Sequence, residues 1–477
     1  MIQTNYIVAI ELSSSKVTGA VGIETINGIK IIATASTLVD GYISKGVVRN
    51  VDKTSEAIAD IINRLEHDLT DNDGKEITIK RAYVSLAGLT MHSIQSKVTR
   101  TFDTYTKISA ETISEMELEN DALFQVPDGY SKVHVITQEY KVDGKTDHNP
   151  IGAPAMAIEG RYLNIVIKKQ FLEQLNESFE QVDTVITDSF VAACMDADIL
   201  LTKDARRNGC ALVNIGAETT TVSIYNNDNL RMLKVLPLGS NNITRDLCAE
   251  QISYDAAEVI KITRGYKSQA SETEPISNET ANNIIRARTG EILQNVKYQI
   301  EESGEMIHNI IFTGGGSRLK NLSILLEEYL PNFNTSIVSD PQLAFECKPG
   351  VNTYGIFTTA LYGLLNHGKE NCCEETSNEP QPTTLFPENI MSGNDTPEED
   401  TTTIANEEEE ARRVEEQRKK KEEEDRKKRE EELKKKKKKE KEQALLNKIR
   451  GFGGLFKEFL QDATSEDEDD DINNEDD

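Results

Sequence analysis

The stretch 310–319, IIFTGGGSRL, constrains the fold more than any other part of the chain. Its β-branched and aromatic start (Ile310, Ile311, Phe312) reads as a buried strand, and leucines at 319, 322, 325 and 326 recur afterwards at helical spacing. Between them Gly314, Gly315 and Gly316 permit positive φ and let another group lie flat against the backbone. A strand that turns through glycine into a helix start leaves free amides, which attract anions, so the turn suits a nucleotide. The same pattern also serves merely to reverse a chain, and its surroundings decide between the two.

Two other stretches share one logic. Residues 6–11, YIVAIE, read as a strand, followed by a hydroxyl-rich turn (Ser13, Ser14, Ser15, then Lys16) and a second strand over 17–23. About 200 residues later ALVNIGAETTTVSIY, 211–225, repeats the plan: a strand, the turn Gly216, Ala217, Glu218, then Thr219 and Thr220 opening a second strand. Such a tip can hold phosphate through backbone amides, hydroxyls and one lysine. Lys16 can equally be a solvated side chain. The recurrence implies an internal duplication with a ligand shared between the copies.

The remaining segments fall between these. Helical spacing is expected over 55–69, a strand over 77–85, and an inserted α+β module over about 91–180, with strands at 133–142 and 162–168 and a helix near 171–179. Residues 188–201, DSFVAACMDADILL, read as an apolar helix starting at Asp188. A strand over 231–238 precedes a helix over 240–247 capped by Ser240 or Asn241. Glu258 and Lys261 share one helical face, either as a surface pair or facing a ligand, and a long helix over 279–302 carries Arg286 and Arg288.

The net charge of −28 argues against nucleic acid as a main partner. Half of it sits in the last 109 residues, where 35 acids face 21 bases. The six cysteines have no C-x-x-C spacing, and the first four (Cys194, Cys210, Cys248, Cys347) sit among apolar residues, so reduced core thiols of a cytoplasmic protein are expected. With six scattered histidines no metal site built on them is expected. The start, MIQTNYIVAI, lacks a basic region and a long apolar run, and no apolar run reaches spanning length, so neither secretion nor a spanning helix is expected.

In its order of parts the chain resembles the actin, Hsp70 and sugar-kinase superfamily, and within it the FtsA family of bacterial cell division. The resemblance covers about residues 5–366 and rests on VHVITQEYKVDG (133–144) with NPIG (149–152), on KVLPLGSNNITRDL (234–247), and on the place of the insertion. It implies an actin-like ATPase fold of class α/β: two lobes, each with a mixed sheet and helices, plus an inserted α+β subdomain. The implied boundaries are lobe 1 over 1–85, the insertion over 86–180, a connecting helix over 181–204, lobe 2 core over 205–245 and 305–368, and its outer subdomain over 246–304.

For the ligand the resemblance implies ATP with Mg²⁺. Gly314, Gly315 and Gly316 would line the nucleotide, Ser317 and Arg318 would lie against adenine, and Glu258 and Lys261 would reach ribose and base. Phosphates would meet Ser13, Ser14, Ser15 and Lys16 on one hairpin and Gly216, Ala217, Thr219 and Thr220 on the other. Both tips depart from the related motifs D-x-G-(S/T)-S-K and D-x-G-x-G-T-T. Glu11 and Asn214 stand where those motifs have aspartate, and Glu218 replaces a glycine and would bring a negative charge towards the phosphates. Glu11 and Asp188 are the acids left to face the metal, and hydrolysis is expected to be slow. Implied partners are other copies of the chain in a filament, other divisome proteins, and the acidic C-terminal peptide of FtsZ, with Arg286 and Arg288 as charge anchors.

Beyond residue 368 the composition changes. Residues 369–406 read as a disordered linker, and 407–443, with acidic and basic blocks at helical spacing and no apolar seam, as a solvated spacer of roughly 55 Å if fully helical. Residues 444–461 then become amphipathic. Leu445, Leu446, Ile449, Phe452, Leu455, Phe456, Phe459 and Leu460 gather on one half of a helical wheel; Arg450 and Lys457 lie at its edge or opposite, and Lys448 inside the arc can snorkel. A tethered apolar face needs another surface, and a bilayer with anionic headgroups suits it. Docking on a protein, including this one, is the alternative. Gly451, Gly453 and Gly454 weaken the helix in solution, and the acidic end 462–477 opposes anionic lipid. Taken with this segment, the resemblance to the FtsA family implies an ATP-binding, filament-forming adaptor that holds the FtsZ ring at the cytoplasmic face of the inner membrane at the septum. An actin-fold phosphotransferase or ATPase acting on a soluble substrate is the alternative, and an ATP-gated chaperone a third.

Overall fold

A computed structural model of the chain describes residues 4–69, 76–267, 276–338, 346–351 and 358–376. The expectations for the linker beyond 376, the spacer 407–443, the amphipathic segment 444–461 and the acidic end 462–477 lie outside the described residues.

Two sheets repeat one topology. In the first, Gly28–Leu38, Lys16–Thr25 and Tyr6–Leu12 form an antiparallel meander, and Arg81–Leu86 and then Val185–Val191 extend it in parallel. In the second, Asn229–Leu236, Thr220–Asn226 and Cys210–Ile215 form the meander, and Asn309–Thr313 and Asn334–Ile337 extend it in parallel. The duplication read from two hairpins thus extends to a five-strand plan in each lobe, with one short strand, Glu346–Cys347, added at the edge of the first. In the first sheet Ile7, Val8, Ala9 and Ile10 are all buried, because helices cover both faces. A Cβ at Gly19 would meet Ile61 of helix Val51–Leu69, whereas one at Gly22 would lie 3.4 Å from Leu365 of helix Thr359–His367.

Inserted in the first lobe, between its strands Arg81–Leu86 and Val185–Val191, lies an antiparallel unit of His92–Lys107, Tyr130–Val142, Lys145–Asp147 and Pro154–Lys168, with helix Ala110–Leu123. The helix starts where the Ser109 side chain accepts from the Thr112 amide. Val98, Met116, Ile158 and Tyr162 give the unit a core of its own, and it joins the second sheet by the pair Lys234 opposite His92, by the Leu233 amide donating to the Ser93 hydroxyl, and by Arg231 donating to Gln138 and Glu139.

Tertiary pairing overrides the sequence reading at several places. Residues 188–201 are not one helix: Val185–Val191 is a strand, drawn out by parallel pairing with Arg81–Leu86, and the helix is Ala192–Leu200. The α-helix after the glycines is delayed to Leu322–Tyr329, because Gly315–Arg318 forms a 3₁₀ turn first. Helix Asn241–Cys248 has no side-chain cap; instead the Ser240 and Asn241 amides donate to the carbonyls of Gly216 and Ala217 at 3.0 and 2.7 Å. Among the cysteines, Cys210, Cys372 and Cys373 are buried, while Cys194, Cys248 and Cys347 are partly exposed. Residues 369–376 do not begin a disordered linker: Cys373–Thr376 pairs with Glu76–Ile79, and the Lys369 and Glu370 amides both donate to the Tyr83 hydroxyl.

Candidate functional site

The glycine turn is pressed onto the second hairpin. A Cβ at Gly314, where φ is 88°, would stand 2.3 Å from Asn214 Oδ1 and 2.5 Å from the Ile215 carbonyl oxygen, and one at Gly316 would stand 2.4 Å from Ile215 Cγ2. These two glycines are therefore demanded by the fold itself. A Cβ at Gly315 would meet nothing within 4 Å, so this residue alone of the three faces open space. Ser317 is buried and its hydroxyl donates to the Gly314 carbonyl at 2.7 Å, so it shapes the turn and is not offered to a base as the sequence reading expected. Arg318 lies within electrostatic reach of Lys16 on the first hairpin.

Each hairpin tip spends its polar groups differently. In the first, the Ser13 amide and hydroxyl both donate to the Lys16 carbonyl at 3.0 and 2.8 Å, and the Ser14 hydroxyl accepts from the Gly46 amide at 2.8 Å. Ser15 is exposed, and the amides of Ser14 and Ser15 have no hydrogen-bond partner among the described residues. In the second, the Gly216 amide donates to the Thr219 carbonyl at 2.8 Å, and the amides of Ala217 and Glu218 are without a partner among the described residues. Thr220 is buried with its hydroxyl donated to Leu238, which removes it from the phosphate ligands expected from the sequence. Glu218 also departs from expectation. Its carboxylate turns away from the tip to accept from the Ser44 hydroxyl at 2.8 Å, the Lys45 amide at 2.7 Å and the Arg245 guanidinium at 2.7 Å.

Two acids sit at the centre. Glu11 accepts from the Thr358 hydroxyl, and Asp196, 2% exposed, accepts from the Asn214 amide group at 2.8 Å and from the Thr359 hydroxyl. Burial pushes both carboxyls above their ordinary values, and the Asp196 charge adds to the rise at Glu11. Burial also pushes the Lys16 ammonium down, with Glu11 opposing and Arg318 reinforcing the shift. Asp188 does not join them. It is exposed on its strand, bonds the Ser189 amide at 2.7 Å and lies in electrostatic reach of His134 in the inserted unit. The acid beside Glu11 is Asp196, which the sequence reading passed over. The signal was an aspartate inside the apolar run AACMDADIL, where a carboxylate requires partners.

At the other end, Lys261 donates to Glu258 at 2.6 Å and to the Thr244 hydroxyl at 2.9 Å, and is 8% exposed. Lys261 is thus buried and Glu258 half-buried beside it, so the two are not a solvated surface pair. Arg286 is paired with Glu328, and Arg288 with Asp246 and Glu291, so both arginines already have acidic partners within the chain.

Residues 211–345 match the family model described as cell division protein FtsA, and residues 88–166 that of the SHS2 domain inserted in FtsA. The cell division protein FtsA of Porphyromonas gingivalis is 29% identical over 60% of this chain and 63% of its own length. That of Bacillus subtilis is 26% identical over 68% of this chain and 77% of its own, and that of Escherichia coli K12 23% identical over 76% and 90%. Among solved structures, one chain of a PilM-PilN type IV pilus biogenesis complex shares the fold, with a TM-score of 0.54 at 16% identity, covering 75% of this chain and 97% of that one.

Proposed function

Because this chain belongs to the FtsA family, an actin-like branch of the bacterial division machinery, we propose that it binds ATP between its lobes and anchors the FtsZ ring to the cytoplasmic membrane. The observation that carries the nucleotide reading is the convergence of three turns. The amides of Ser14, Ser15, Ala217 and Glu218, without a partner among the described residues, lie on two hairpin tips joined through the turn at 44–46; the glycine turn abuts the second hairpin at Asn214 and Ile215, and Arg318 lies within electrostatic reach of Lys16. Amides and cations of this kind suit polyphosphate. In this reading the phosphates meet Ser14, Ser15, Lys16, Gly216, Ala217 and Thr219, and the adenosine lies along Gly315 towards Glu258 and Lys261.

Mg²⁺ fits the residues present. Glu11 and Asp196 are buried carboxylates whose negative forms are disfavoured, and a hydrated divalent cation is the hard, oxygen-seeking partner that relieves this. When bound, it would neutralise charge on the phosphates. Asn214 removes one negative charge from that shell, which supports slow hydrolysis and a nucleotide held as a structural ligand.

Filaments of such heads would bind a membrane far better than one head, because each amphipathic segment binds reversibly and linked copies add. Among the described residues no helix is long and apolar enough to cross a membrane; in this reading attachment rests on the amphipathic sequence pattern of residues 444–461. An acidic FtsZ peptide reaching Arg286 and Arg288 would exchange its carboxylates for those of Glu328, Asp246 and Glu291. Flotation of FtsZ with anionic vesicles, ATP and the full chain tests the adaptor role. FtsZ is expected to float with the full chain and to stay in the soluble fraction when residues 444–461 are deleted. Equal flotation in both cases would refute the adaptor reading.

A further inference from the structure

The feature that the nucleotide reading leaves unused is the outward turn of Glu218. In the related hairpin motif its place belongs to a glycine, which could offer no acceptor there. In this chain the carboxylate is mostly buried, its side chain 12% exposed, and it reaches across to the turn at 44–46 of lobe 1. That turn joins the short strands Ile43–Ser44 and Val47–Val48, with positive φ at Lys45 and Gly46. It is fixed on its own lobe: the Leu89 amide donates to the Lys45 carbonyl at 3.0 Å, and a Cβ at Gly46 would stand 2.9 Å from the Cα of Gly88. From this base it spans both phosphate hairpins, touching the first through the Gly46 amide on the Ser14 hydroxyl and the second through Glu218. The other carboxylate oxygen of Glu218 holds Arg245, next to the helix start that closes the second tip.

We propose that Glu218 is a positioning residue of the cleft: it clasps the 44–46 turn of lobe 1 to lobe 2 across the phosphate end and thereby slows nucleotide release. This rests on the nucleotide reading of the cleft. One carboxylate takes three donors from two lobes, and hydrogen bonds to a charged acceptor that is largely out of water are the stronger kind. Any separation of the hairpin tips has to break the Ser44 and Lys45 bonds together. A neutral amide at the same place would keep an acceptor for lobe 1 but lose the attraction to Arg245.

The test uses the full chain with Glu218→Gly and Glu218→Gln. Amide hydrogen exchange at Lys45 without nucleotide reports the clasp itself, and displacement of a fluorescent ATP analogue reports release. Glu218→Gly is expected to speed both by about tenfold or more, with Glu218→Gln between it and the wild type. Thermal unfolding of each variant accompanies these, since a merely structural role would lower the unfolding temperature without ordering the release rates in this way. Unchanged exchange at Lys45 would overturn the clasp. Faster exchange with unchanged release would overturn its control of the nucleotide. If the wild type bound no analogue, the nucleotide reading and the control of release would fall together, and the exchange data would still decide whether the clasp exists.

Discussion

The two ends of the cleft were built under different constraints. At the glycine turn the residues expected of the related proteins are all present, and packing explains two of them: Gly314 and Gly316 are held against Asn214 and Ile215 with no space for a Cβ. At the hairpin end the backbone plan is kept strand for strand while the side chains have changed. Asn214 and Glu218 replace an aspartate and a glycine, and a buried acid, Asp196, comes from the helix Ala192–Leu200 to bond Asn214. A position fixed by backbone contact cannot drift without loss of the fold, whereas a side chain at a tip can be exchanged as long as its charge finds a partner.

The largest effects should come from the glycine end. Gly314→Val forces a branched residue to a φ of 88° and into the second hairpin, and is expected to cost about 3 kcal/mol or more of stability by thermal or urea unfolding. Gly315→Leu meets open space, so its stability should stay within about 0.5 kcal/mol of the wild type while ATP binding is lost. Normal ATP affinity in Gly315→Leu would show that the nucleotide does not lie along this turn.

A smaller effect is expected from the hairpin end, and it depends on pH. Glu11 and Asp196 have folded-state carboxyl pKa values raised by burial, so the folded chain holds these protons to higher pH than the unfolded one. Stability is then lost as pH rises from the ordinary carboxylate range through the raised values. Asp196→Asn keeps an acceptor for Asn214 and gains a donor for Thr359, and removes the buried charge. Without nucleotide, it should unfold at a higher temperature than the wild type near neutral pH, with the difference shrinking as pH falls towards the ordinary carboxylate range. A difference independent of pH would mean that the charge is not its source.

How far each region could be read from sequence follows from where its partners lie. The hairpins and the glycine turn are local patterns, in which strand, turn residues and following element are contiguous, and so their places and much of the two-lobe fold were legible. Asp196 was not, because its partners Asn214 and Thr359 lie on other elements and only folding brings them together. The direction of Glu218 was hidden for the same reason: its acceptor role depends on Ser44 and Lys45, far earlier in the chain. Cys373–Thr376 looked like linker because its pairing strand, Glu76–Ile79, sits near the start of the protein. Asp188 was misplaced because an apolar run was read as a helix where parallel pairing makes a strand.

The central claim is that this cleft holds ATP and hydrolyses it slowly because the hairpin end lacks an acid at position 214. It is tested most directly by measuring bound ATP and phosphate release in one sample, with Mg²⁺, for the wild type and for Asn214→Asp. The account predicts stoichiometric ATP recovered largely intact from the wild type, and phosphate release faster by about tenfold or more in Asn214→Asp, where a further carboxylate joins Glu11 and Asp196 in the cation's surroundings. Wild-type protein that binds no ATP, or that releases phosphate as fast as the variant, would contradict it.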